Sequence, residues 1–66
     1  MEYGRTLIEF RAKHNLTQAQ LANVLDVNPG MIHRYETGKA SPSEMHKVVY
    51  AIRMNNFERS KKNGSK

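Results

Sequence analysis

The 66-residue sequence predicts a compact all-α domain of four to five helices. Three observations predict it. Apolar residues recur at helical spacing in four separate segments. Two of those segments open on a Ser/Thr-x-x-Glu/Gln pattern, in which a pair of side chains satisfies orphan backbone donors reciprocally. The breaks between segments carry Asn, Pro or Gly, residues that start or stop helices.

The first helix runs from about Tyr3 to His14, with Tyr3, Leu7 and Ile8 on one face. Arg11 falls one turn beyond Leu7 on that same face, an odd place for a charge. Asn15 tolerates positive φ and is the expected stop. The second helix is announced by TQAQLANVL, where Thr17 and Gln20 stand at capping-box spacing. Leu21, Val24 and Leu25 form its inward stripe, and the small Ala22 beside them lets a neighbouring helix approach closely. Asn28 caps the third helix, and Pro29 occupies its first position, where a missing N–H is no loss. Ile32 and Tyr35 face inward, and Gly38 ends the helix. A fourth helix is expected after SPSE, capped by Ser41 and Glu44 with Pro42 in its first turn. Met45, Val48, Val49 and Ile52 supply its apolar stripe. The tail NNFERSKKNGSK loses periodicity, and Phe57 is its one residue expected to pack. The sequence therefore divides into a domain over residues 1–58 and a basic, disordered tail over 59–66. No internal repeat is visible.

Composition narrows the function. A chain this short buries only about 60% of its unfolded surface, which disfavours a deep, enclosed active site. It has no cysteine, so neither disulfides nor thiolate metal sites are available. His14, His33 and His46 are scattered and no acids are paired, so no catalytic constellation or metal site emerges, and no cofactor is expected. No apolar run approaches the length of a membrane span, and MEYGRTLIEF lacks a signal-peptide pattern. A cytoplasmic location, at the bacterial nucleoid, is expected. Eleven Lys and Arg against six Asp and Glu give a net charge of +5. A small basic domain is suited to a polyanion, and nucleic acid is the commonest one.

Only Asp26 and Val27 join the second and third helices, and the second carries Ala22 on its contact face. That describes a helix-turn-helix. The stretch LTQAQLANVLDVNPGMIHRYETGKASPS also resembles the Cro/cI-type phage repressors and their bacterial relatives, over Arg11 to roughly Ile52. Its most specific parts are Thr17-Gln18, Leu21-Ala22, Ile32, Glu36-x-Gly38 and Pro42-Ser43. Each alone is weak; in order and at family spacing they are a strong signal. The resemblance implies a lambda-repressor-like fold and a sequence-specific, double-stranded DNA-binding regulator, a Cro-like repressor of phage or prophage. In this family the third helix lies in the major groove and the second crosses the backbone above it.

The resemblance places Thr17 and Gln18 at the DNA, where the N-terminus of the second helix favours a phosphate, with an ordinary exposed helix residue the alternative for Gln18. Arg34 lies away from the Ile32–Tyr35 face, and a guanidinium there can reach guanine O6 and N7, or else a phosphate or only solvent. Met31 aligns with a groove-facing position and can touch a thymine methyl, or else fill the edge of the core. His33 is a further candidate. Lys39 and Ser41, in the loop after the helix, suit phosphates, with a merely solvated charge the alternative for Lys39. Arg11 and Glu36 match a family pair, and an isolated buried ion is costly, so they are expected to form a structural clamp.

The sequence departs from the family pattern in three places. The turn carries Asp26 where relatives have Gly. The first recognition positions are Pro29 and Gly30, which offer almost no side chain but let the backbone sit close to DNA. Direct reading then rests on Asn28, Met31, Arg34 and His33, with DNA shape as the alternative source of specificity. The region matching the family's fifth helix, MNNFERSKK, is short and polar. The expected assembly is a homodimer on an inverted-repeat operator, weak or monomeric when free. Two other functions fit the sequence: a restriction–modification controller or antitoxin that represses its own operon, and, in a different class, a protein-interaction module.

Overall fold

In the computed structural model, which describes residues 3–64, four helices follow one another: α1 (Tyr3–His14), α2 (Gln18–Leu25), α3 (Pro29–Thr37) and α4 (Glu44–Gly64). Local chemistry sets the first three. Asn15 turns the chain out of α1 with φ 57°. Thr17 Oγ1 then accepts from the Gln20 N–H at 3.0 Å, while Gln20 Oε1 accepts from the Thr17 N–H at 2.8 Å. Asp26 closes α2 in the left-handed region, at φ 60° and ψ 47°. Asn28 caps α3 by accepting the Gly30 N–H at 2.8 Å, and Gly38 ends it with φ 82°.

Leu7, Leu21, Ala22, Leu25, Ile32, Tyr35, Tyr50 and Met54 form the core. α2 packs on α3 and α4, and α1 packs on α3. Gly4 makes the last contact possible, because a Cβ there would strike the Tyr35 carbonyl oxygen and lie 2.8 Å from the Glu36 Cα. The requirement for glycine here comes from α3 and leaves no local signal in the sequence around Gly4.

Three expectations need correction. Ile8 is exposed, and Phe10 instead packs against the core, with its ring 5.9 Å from that of Phe57. The cap of α4 is Ser43, not Ser41: the Ser43 hydroxyl accepts the His46 N–H at 3.2 Å, and Pro42 is buried ahead of the helix. Two serines flank the proline, and burial of its ring decides which one starts the helix. The largest correction is the face of α4. Met45, Val48 and Ile52 point outward, and Val49 is only half-buried. Tyr50, Met54 and Phe57 face the domain instead. The Tyr50 hydroxyl meets that of Tyr35 at 3.2 Å, and its ring lies 6.3 Å from that of Tyr3. Large aromatic surface on α1 and α3 thus selects one of two apolar stripes on α4.

The backbone of α4 continues to Gly64, beyond the boundary drawn at residue 58. No Pro or Gly interrupts residues 44–63, and Glu58 ties the helix back to His14 at 2.9 Å and Lys13 at 3.1 Å. Residues 65 and 66, the end of the expected disordered tail, lie outside the described residues. Among the described residues, no helix is long and apolar enough to cross a membrane.

Candidate nucleic-acid interface

The geometry of α3 starts from its buried side. Ile32 is fully buried and Tyr35 nearly so, which fixes the rotation of the helix. At 100° per residue the opposite surface must then carry Gly30, His33, Arg34 and Thr37. All four are exposed, as are Asn28, Pro29, Lys39 and Ser41 around them. Met31 lies at the edge of this surface with 38% of its area accessible, outside the core. Thr37 was not singled out in the sequence. It shares the face, but its hydroxyl donates back to the His33 carbonyl at 3.0 Å.

The two helix N-termini differ in what they offer an anion. In α3, Pro29 has no N–H, the Gly30 N–H goes to Asn28 Oδ1, and the Met31 N–H goes to the Asn28 carbonyl at 2.9 Å. Its first turn is already satisfied. In α2, Thr17 takes the Gln20 N–H and the Leu21 N–H, leaving the first-turn donors of Gln18 and Ala19 for an incoming oxygen. A phosphate is therefore better matched to α2 than to α3. Capping also orients Asn28: its Oδ1 is turned inward, so its amide N–H groups are the part that can face a base or phosphate.

Behind this surface lies the Arg11–Glu36 pair. Arg11 Nε donates to Glu36 Oε2 at 2.7 Å and Nη2 donates to Oε1 at 2.9 Å, a two-pronged contact. Arg11 Nη1 also donates to the Leu16 carbonyl at 3.1 Å. The Glu36 side chain is 6% accessible, so it has little water to rely on. Burial pushes its carboxyl pKa up, but hydrogen bonds from Arg11 and Gln18, with the nearby charges of Arg11 and His33, more than offset that and hold it below the ordinary value. Glu36 in turn raises the Arg11 pKa through their hydrogen bond.

Glu36 does more than neutralise Arg11. Its Oε1 also accepts from Gln18 Nε2 at 2.9 Å. An amide nitrogen carries two hydrogens, so one remains for a phosphate once the other is held. The sequence pairs Arg11 with Glu36 and sets Gln18 at the DNA, but nothing in it links Gln18 to Glu36. Among the described residues, no group of three His, Asp or Glu is arranged to hold a metal ion.

An exposed third helix, fixed by a buried Ile32–Tyr35 side and entered from α2 through a short turn with Asp26 left-handed, decides the family. The helix-turn-helix family matches residues 7–46, more than half of the chain. The chain belongs to the Cro/cI-type helix-turn-helix family. This is a family of DNA-binding regulatory domains. Among curated proteins, the chain is similar to multiprotein-bridging factors 1b and 1a of Arabidopsis thaliana, each 37% identical over 43 residues. The match covers 65% of this chain and 30% of each relative. No solved structure matches the chain significantly.

Proposed function

We propose that the chain is a sequence-specific double-stranded DNA-binding transcriptional regulator that places α3 in the major groove. One observation carries the reading. The exposed face of α3, with Arg34 at its centre, lies beside an α2 N-terminus whose Gln18 is held in place by Glu36. Gln18 and the N–H groups of Gln18 and Ala19 take one phosphate, and Thr17, its Oγ1 committed to the cap, lies beside them. Lys39 and Ser41 take phosphates on the far side of α3. Between them Arg34 reads a base edge, with Asn28, Met31 and His33 as its neighbours. Pro29 and Gly30 open the helix with little bulk, which lets the backbone approach the duplex closely. Two copies bind an inverted repeat, and the finer role is that of a Cro-like repressor of phage or prophage.

Salt dependence tests this reading. Phosphate contacts release counterions, so log K should fall linearly with log salt concentration, by roughly one unit of slope per phosphate neutralised. Duplex binding with a slope near zero would reject it.

A second reading has its own support. The relatives are named multiprotein-bridging factors, and α4 presents an uncovered apolar stripe at Met45, Val48 and Ile52. A protein-interaction module would bind another protein through that stripe, with little dependence on salt. The two readings differ in which substitutions matter: Arg34 and Lys39 for DNA, Val48 and Ile52 for a protein.

A further inference from the structure

The outward face of α4 is apolar where a solvated helix would be polar. Met45 is 73% accessible, Val48 59% and Ile52 54%, and among the described residues no other element covers them. Their spacing of three and then four residues draws a narrow seam along the helix, the pattern by which one helix packs against another. The seam lies opposite Tyr50 and Met54, outside the core of its own domain, and most of its surface is open. Water-exposed apolar surface of this kind on a small domain marks an interaction site.

We infer that this seam is the contact between two copies of the chain, packed antiparallel α4 against α4. The charges on the face select both the partner and the direction. Glu44 lies at the N-terminal end of the seam, 94% accessible and holding only a loose 3.4 Å contact to Lys47. Arg59 lies exposed near the other end. A parallel pair would set Glu44 on Glu44 and Arg59 on Arg59. An antiparallel pair with Val48 of one copy opposite Ile52 of the other brings Arg59 within about one helical turn of the other copy's Glu44. It also opposes the two helix dipoles. A two-fold contact requires a self-complementary surface, and acid at one end with base at the other meets that requirement.

The size of the seam sets its strength. A stable dimer buries about 800 Å² per partner, a large share of the 4774 Å² surface of this domain. Three apolar side chains and their flanks cover less than that, so the dimer is weak and concentration-dependent. The inference deepens the inverted-repeat reading above and rests on it only for the operator, since the contact itself needs no DNA.

Sedimentation equilibrium of the full chain without DNA, from micromolar to millimolar concentration, tests it. The mass should rise from monomer towards dimer. Val48→Glu should raise the dimer dissociation constant by about tenfold or more, because it would bury an unpaired charge; its circular dichroism and melting should match wild type, since Val48 is exposed in the monomer. Glu44→Arg and Arg59→Glu should each weaken the dimer, and the two together should restore it. A chain that stays monomeric at millimolar concentration, whatever other protein the seam engages, overturns the inference. So does a dimer indifferent to Val48→Glu. Loss of duplex binding by a chain that still dimerises would reject the DNA reading instead.

Discussion

Gln18 Nε2 donates to Glu36 Oε1 at 2.9 Å, so the start of α2 and the end of α3 are locked together by one hydrogen bond. The same carboxylate is gripped by Arg11 from α1. A single, largely covered carboxylate thus ties three helices together and orients a proposed phosphate ligand. The fold and the interface share this residue.

Arg11→Met should destabilise the domain by about 3 kcal/mol, because Glu36 would keep only the Gln18 donor in a nearly dry site. Replacing both partners, as Arg11→Met with Glu36→Leu, should recover much of that loss. Urea unfolding measures both. If the single variant unfolds like wild type, the pair adds nothing to stability.

Acid should weaken the fold in a defined window. The folded Glu36 pKa lies below its ordinary value, so its stabilisation is complete above the unfolded pKa of about 4.3 and is lost as pH falls through the folded value. The Glu58 carboxyl is also lowered, by hydrogen bonds from His14 and then Lys13, and acts with the same sign. Stability should therefore be level near neutrality and fall below about pH 4.5. The Arg11→Met/Glu36→Leu protein should lose less over that fall. Superimposable acid limbs for the two proteins would contradict the assignment.

Arg34→Ala and Lys39→Ala should separate base reading from phosphate contact. The first should weaken specific binding by about 1–3 kcal/mol and relax preference at one base position. The second should lower the salt slope by about one unit and leave the preferred sequence unchanged. Equal weakening of Arg34→Ala on every duplex would make Arg34 a phosphate ligand.

Asp26→Gly should stabilise the domain by about 0.5–1 kcal/mol, since Asp26 is held at φ 60° in the turn between α2 and α3. Thermal melting reads the gain directly. DNA affinity should be unchanged, because the backbone path of the turn is already the one glycine prefers.

The boundaries of α1, α2 and α3 were legible because their signals are local. Thr17, Asn28 and Gly38 each act within three or four residues of themselves, and the structure finds each in the expected role. The face of α4 was not legible. Met45–Val48–Ile52 and Tyr50–Met54–Phe57 are both apolar stripes at helical spacing, and the choice between them rests on Tyr35 and Phe10, far away in sequence. Gly4 escaped notice for the same reason: its need for a missing side chain comes from α3. At the candidate interface, the exposure of Arg34 follows from Ile32 and Tyr35 and could be read in advance. The Gln18–Glu36 bond spans eighteen residues of sequence and could not.

Selection of bound sequences from a pool of random duplexes tests the central claim most directly. If α3 reads the major groove as proposed, the pool should converge on one motif, an inverted repeat whose half-site centres lie about 10 base pairs apart or a multiple of that. Inserting about five base pairs should then abolish cooperative binding, because it turns one half-site to the opposite face of the duplex. A single unrepeated half-site would reject the two-fold arrangement and leave the reading helix in place. A pool that binds but never converges would contradict the account itself.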